Sequence, residues 1–354
     1  MTHENQHHMK NFHVIAQIVA LSCFLVGCGG GGSGGANTPT SPITTQTFPK
    51  VTPILGDWYV FSTVTTPTLP AGTAPTSTYQ TRYFNAVNSD NSYSRTIQVS
   101  TNTYSTSEAI TATGGVSSST SGSRLCTYTP SYGLGPTYGL AVGGTYSFSS
   151  TSSCATQPNG TPAVTSLTRS GTAVTVEQKM LPIGTFTAFK YTQTTVATNA
   201  TSKATYVSTN WVDMVSGRTI AYDETYTSTN IGATAPSAAS TTSSQLVAYS
   251  FNGQPPVGAT VARFTGYWTF SFSAFGNITC PNFYVDSSGH TTGTCNTTDL
   301  LNFPYNFTLT GNIDSVGNFT GSTSGGATLS GKFNTPGTGN GTTNSGGTWL
   351  ASHV

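Results

Sequence analysis

Charge is scarce in this chain. Only 6% of its residues are Asp, Glu, Lys or Arg, against about 25% in typical soluble proteins. The 12 basic and 11 acidic residues nearly cancel. No basic patch or acidic run forms, so nucleic acid is not an expected partner. The helix formers Leu, Glu, Lys and Met are also few, which argues against a helical fold. There is no CxxC, and beyond the first 28 residues the only histidines are His290 and His353. A metal site is therefore not expected. No phosphate loop and no dinucleotide fingerprint after a strand occur, so no cofactor is expected either. Nor is there an unbroken apolar run of about 20 residues, the length a membrane helix needs.

What the chain has instead is Ser, Thr, Gly and Asn for polarity, with 17 Tyr and 18 Phe for apolar mass. Aromatics and Thr favour strands, and Gly and Asn favour turns. The expected fold class is all-β, built from antiparallel meanders.

Residues 12–26 read FHVIAQIVALSCFLV, an apolar stretch interrupted by His13 and Gln17. Its length suits the h-region of a secretory signal peptide. It ends in Leu25-Val26-Gly27-Cys28, which resembles the lipobox of bacterial lipoproteins. The resemblance implies a lipoprotein signal peptide over 1–27, cleavage before Cys28, and lipid attachment (diacylglyceryl on sulfur, palmitate-type acylation on the new amino group) at Cys28. It implies a membrane partner through that anchor, since each buried methylene adds about 0.8 kcal/mol. Gly29 rather than Asp follows the cysteine, and the family's sorting rule then implies the outer membrane, with the periplasmic or surface face undetermined. Residues 28–47 are Gly-, Ser- and Thr-rich and read as a flexible tether spanning roughly 20–25 Å. Gly31–Gly35 spells GxSxG, but no strand precedes it and no helix follows, so it is not a nucleophile elbow.

Four cysteines remain: Cys126, Cys154, Cys280 and Cys295. An even number in an exported chain points to disulfides. Three connectivities exist; Cys126–Cys154 with Cys280–Cys295 is the simplest and keeps each bridge in its own half.

The first folded block, 48–227, carries candidate strands at 54–64, 78–87, 92–100, 144–150, 171–179, 184–193, 203–213 and 217–227, divided by turn signals. A curved sheet or half-barrel is expected. Residues 228–245 lack aromatics and charge and read as a linker. The second block, 246–354, shows strict period-two alternation in Trp268-Thr269-Phe270-Ser271-Phe272, the mark of a half-buried strand. Its many glycines suit a strongly curved sheet, hence a small barrel.

Gly56-Asp57-Trp58 and Gly266-Tyr267-Trp268 each resemble the GxW of lipocalin first strands. Residues 180–226, with Pro182, Gly184, Thr185, Phe186, Ala188, Lys190, Trp211 and Gly217, are similar to a recurring element of uncharacterised proteobacterial exported half-barrel proteins. That likeness implies a cradle for a hydrophobic ligand, with Tyr59, Phe61, Phe186 and Phe189 lining a pocket.

No catalytic residue is expected. The one acid group worth testing is Asp213 with Asp223 or Glu224, because a glycosidase needs two carboxylates across a cleft. Adjacent Asp223 and Glu224 should point to opposite faces of a strand. His290 lies in a turn-like SSGHTTG. The functional expectation is a non-enzymatic binding or envelope-surface module, meeting a glycan or protein through a neutral hydrogen-bonding surface. A hydrophobic-ligand carrier is the alternative, and a hydrolase a third.

Overall fold

The computed structural model describes residues 46–353 apart from 49, 52, 252, 274–277 and 299–303. The signal peptide, Cys28 and nearly all of the tether lie outside the described residues.

Two closed antiparallel barrels account for the described chain. Twelve strands form the first: β1 Trp58–Leu69, β2 Thr76–Val87, β3 Tyr93–Val99, β4 Thr106–Ile110, β5 Gly115–Ser121, β6 Arg124–Gly133, β7 Thr145–Thr156, β8 Ala163–Leu181, β9 Gly184–Thr198, β10 Ser202–Asp213, β11 Thr219–Asn230 and β12 Ala238–Ser250. Each pairs with the next, and β12 closes on β1. A two-residue strand, β13 Val257–Gly258, adds to the end of β12. A 3-10 turn at Thr260–Phe264 leads into the second barrel: β14 Gly266–Phe272, β15 Ile278–Val285, β16 His290–Thr298, β17 Pro304–Ile313, β18 Asn318–Thr323, β19 Thr328–Thr335, β20 Thr338–Thr343 and β21 Thr348–His353.

The first sheet thus goes further than a half-barrel, and closure comes from the segment expected to be a linker. Residues 228–245 hold the end of β11 and half of β12. Thr63 and Ser244 hydroxyls bond at 2.8 Å, and Thr65 and Thr242 at 3.1 Å, across the closing pair. The first domain therefore runs to residue 250 rather than 227, and the second unit starts at the 3-10 turn rather than at 246. The tether also ends earlier than residue 47: Thr47 bridges to Ala141, and the Phe48 N–H donates to the Leu140 carbonyl at 2.8 Å. The Phe48 ring then packs on Phe189 and Tyr191. Strands β4 to β6 occupy a stretch that carries no strand expectation.

The second barrel has an aromatic core of Trp268, Phe270, Phe283, Phe319, Phe333 and Trp349, all buried. Its glycines make room for that core. Gly311, Gly321, Gly331 and Gly341 recur every ten residues and pair as Gly311↔Gly321 and Gly331↔Gly341. A Cβ on the first two would strike the Phe319 ring, and on the last two the Trp349 indole. The bare backbone is the floor on which the rings lie. Phe264 of the 3-10 turn packs on Phe333, and the Trp268 indole N–H donates to the Phe264 carbonyl at 2.8 Å. The GxW of the second barrel therefore supplies a core tryptophan. The GxW of the first supplies a buried tryptophan outside the lumen: Trp58 packs in a small core with Val60, Ala248 and Ala262, under the Arg263 guanidinium at 5.0 Å.

Both disulfides join neighbouring strands, Cys126–Cys154 across β6–β7 and Cys280–Cys295 across β15–β16. The local pairing is the one formed.

Candidate functional site

An eight-stranded barrel is just wide enough for side chains to fill, whereas more strands enclose more room. The twelve-stranded barrel fills its interior with polar groups as well as aromatic ones. Register places Tyr59 opposite Arg82, Arg95 opposite Glu108, Arg169 opposite Thr195, and Glu224 opposite Ser208. All these charged residues are buried.

Each is held differently. Arg95 donates through Nε to Glu108 at 2.7 Å. Arg169 donates through Nε to Thr195 Oγ1 and through Nη1 to the Gly133 carbonyl, both at 2.9 Å, with its guanidinium 4.5 Å from the Tyr132 ring. Arg82 donates through Nε to Gln80 at 2.8 Å and lies 5.3 Å from the Phe61 ring. Burial pushes the Tyr59 phenol up, but the charges of Arg95, Arg82 and Arg218 outweigh it and hold it below its ordinary value. Burial pushes the Glu224 carboxyl up to about 8, against a smaller opposing pull from Arg169. Arg82 Nη1, Tyr206 Oη, Asn210 Oδ1 and Glu224 Oε2 are buried without a protein partner. A wall of this kind suits water, since hydrocarbon leaves such groups unsatisfied at a cost of a few kcal/mol each.

The expected pocket residues do not form one pocket. Tyr59 and Phe61 are buried in the main core, and Phe186 packs at its edge against Tyr249. Phe189 belongs to a separate cluster with Phe48, Tyr191, Val212 and Met214. Phe48, the first residue of the expected folded block, occupies the place next to Phe189. None of the four lines any of the three clefts described below.

The acids do not converge either. Asp223 is exposed on the outer wall and accepts from Ser243 at 2.7 Å, whereas Glu224 points inward. Asp213 accepts from the Ser216 N–H and hydroxyl in the β10–β11 turn. It lies five residues along β10 from Ser208, the register partner of Glu224, or about 17 Å. His290 is exposed, and its N–H donates to Asp286 in a hairpin turn. Among the described residues no group of three or more His, Cys, Asp or Glu could hold a metal ion. No described helix is long and apolar enough to cross a membrane.

The outer wall carries the clefts. One of about 550 Å³ runs over β7 to β10 and is lined by Thr145, Ser147, Ser170, Thr172, Thr192, Thr194 and Val207 among others. A second of about 430 Å³ runs over β9 to β12 and β1, lined by Val64, Thr66, Thr192, Val207, Thr225, Thr241 and Ser243 with Asp223 at one side. The two share Thr192 and Val207 and so adjoin as one shallow, open trough. A smaller one of about 230 Å³ lies near the far ends of β1 to β3 and β12. Sequence patterning misses the trough because its hydroxyl residues come from separate strands and, in β12, alternate with buried Ser240, Thr242 and Ser244.

No protein-family model matches the chain, and no curated protein matches it. Among solved structures, the crystal structure of the hypothetical lipoprotein YmcC from Escherichia coli (K12) aligns with a TM-score of 0.30 and 10% identity. The alignment covers 55% of this chain and 87% of that one. A likeness of that degree carries no argument for fold or function.

Proposed function

We propose that this chain is a lipid-anchored lipoprotein of the bacterial outer membrane, non-enzymatic, whose first barrel binds a neutral glycan along its outer wall. The observation that carries the binding reading is the hydroxyl-lined trough over β7 to β12 and β1. Serine and threonine hydroxyls both donate and accept, as sugar hydroxyls do. Their short side chains lose little rotamer freedom on contact. Val64 and Val207 supply apolar footing for a sugar ring, and of the two acids at the cleft only Asp223 points outward, Glu224 being buried, so the trough stays near neutral. The anchor reading rests on Leu25-Val26-Gly27-Cys28 and on the two disulfides, which suit an oxidising compartment.

Titration calorimetry of the full mature chain against neutral oligosaccharides tests the ligand. Binding should be lost in Thr192→Arg with Val207→Arg. Absence of binding to any neutral glycan, or binding that the double variant leaves intact, refutes the glycan reading. Mass spectrometry of the purified native protein reads lipid on Cys28, and Cys28→Ala should release the chain from membranes.

The lumen speaks against the hydrophobic-carrier alternative. Arg82, Arg95, Glu108, Arg169 and Glu224 line the interior that an acyl chain would have to enter, and burying such groups against hydrocarbon is costly.

A further inference from the structure

The two ends of the first barrel are not equivalent. The strands run up and down, so one end gathers the turn before β1 and the β8–β9 and β10–β11 turns. Among the described residues, three of the four most exposed large apolar side chains lie there: Leu55 at 65%, Met180 at 80% and Val215 at 81%. The opposite end exposes Val164 and Ile231 at 56% and 57%.

These three tips adjoin one another. Arg218 is ion-paired with Asp57, which sets the turn holding Leu55 against the turn holding Val215. The Met214 N–H donates to the Thr187 carbonyl at 2.8 Å, which ties that turn to the β8–β9 hairpin carrying Met180. The nearby carboxylates are engaged: Asp57 by Arg218, Asp213 by Ser216, and Glu177 by Lys190 and the Trp211 indole N–H. Lys179, next to Met180, lies 3.5 Å over the Trp211 ring.

The chain also enters at this end. Phe48 packs in one cluster with Met214 of the β10–β11 turn and Phe189 near the start of β9. Only residues 29–45 separate Cys28 from the first described residue, Gln46. Treated as a coil, that length spans roughly 20–25 Å on average. It is short enough to keep this end facing the bilayer and long enough to let it touch. Tethering raises the local concentration of the tips at the lipid surface, so a contact too weak to hold a free protein becomes populated.

We infer that this end of the barrel rests on the bilayer holding the Cys28 lipid, with Leu55, Met180 and Val215 seated at headgroup level. The inference builds on the anchor described under Proposed function. It adds direct contact to the flexible tether, and it leaves the outer-wall trough facing sideways, open to solvent.

Hydrogen-exchange mass spectrometry tests it, using the full lipidated chain in vesicles of phosphatidylethanolamine and phosphatidylglycerol and the Cys28→Ala chain in buffer. On vesicles, exchange should slow at 53–57, 179–184 and 213–217, and not at the opposite-end turns 70–75, 157–162 and 231–237. The triple variant Leu55→Ser, Met180→Ser, Val215→Ser alters only exposed positions; it should stay vesicle-bound through its lipid and lose the slowing. A lipidated, vesicle-bound chain with unchanged exchange at the three turns overturns the contact alone. So does slowing that persists in the triple variant or appears at the other end. A chain whose mass shows no lipid at Cys28 overturns the anchor, and the contact with it.

Discussion

Arg95 donates through Nε to Glu108 Oε2 at 2.7 Å across β3 and β4, and both side chains are 1% exposed. The pair spans two register partners on the inner wall. Truncating one member leaves the other charge buried and uncompensated, which costs about 3–5 kcal/mol. Glu108→Ala should therefore lower the urea midpoint sharply. Replacing both partners by apolar residues, Arg95→Met with Glu108→Leu, should restore much of the loss. A Glu108→Ala chain as stable as wild type would show that the pair is not desolvated.

Glu224 gives the barrel a pH dependence of known sign. Its carboxyl is raised by burial from an ordinary value of 4.5 to about 8 in the folded chain. The folded state thus holds a proton that the unfolded state has released over this range. Stability is fully present below pH 4.5, falls as pH rises through about 8, and is level above that. The total effect is on the order of 5 kcal/mol. Glu224→Gln should abolish this fall and be more stable than wild type at pH 9, as read by thermal unfolding at a series of pH values.

The two disulfides close separations of 28 and 15 residues. Loop-entropy arithmetic assigns each roughly 3–4 kcal/mol. Cys126→Ala with Cys154→Ala should lower the melting temperature of the first barrel, and Cys280→Ala with Cys295→Ala that of the second. Differential scanning calorimetry distinguishes them.

Arg263 joins the barrels. Its guanidinium lies 5.0 Å from the Trp58 ring and 4.2 Å from the Phe264 ring. Its Nη1 donates to the Thr260 and Ser315 carbonyls at 2.7 and 3.0 Å, while Thr81 bonds its backbone carbonyl. Arg263→Ala should weaken docking by about 2 kcal/mol. The expected readout is faster proteolysis between residues 251 and 259 with both barrels still folded.

How far these features can be read from the sequence depends on contrast between alternate residues. Trp268, Phe270 and Phe272 alternate with Thr269 and Ser271, and β14 is plain. In β12 the buried Ser240, Thr242 and Ser244 alternate with the exposed Thr241 and Ser243. Hydropathy then has no period to report, and the closing strand resembles a linker. The inner wall is hidden for the same reason. Arg82, Arg95, Glu108 and Arg169 sit among hydroxyl residues as if solvated, because a wide barrel accepts polar groups inside. The local disulfide pairing is the simplest of three connectivities the sequence leaves open, and the GxW resemblance points to strands beginning near Trp58 and Trp268. The trough requires knowing which hydroxyls face out, and only the register decides that.

Closure of the first barrel sets a condition on when it can form. Thr63 finds Ser244 only across 181 residues. Pairings so distant in sequence are slow to form, because the loop must be closed before any contact repays it. As the chain emerges from its N-terminus, β1 has one neighbour, β2, until β12 has emerged. A chain stopped before Ala238 would carry eleven staves and two open edges, the geometry most prone to pair with another copy.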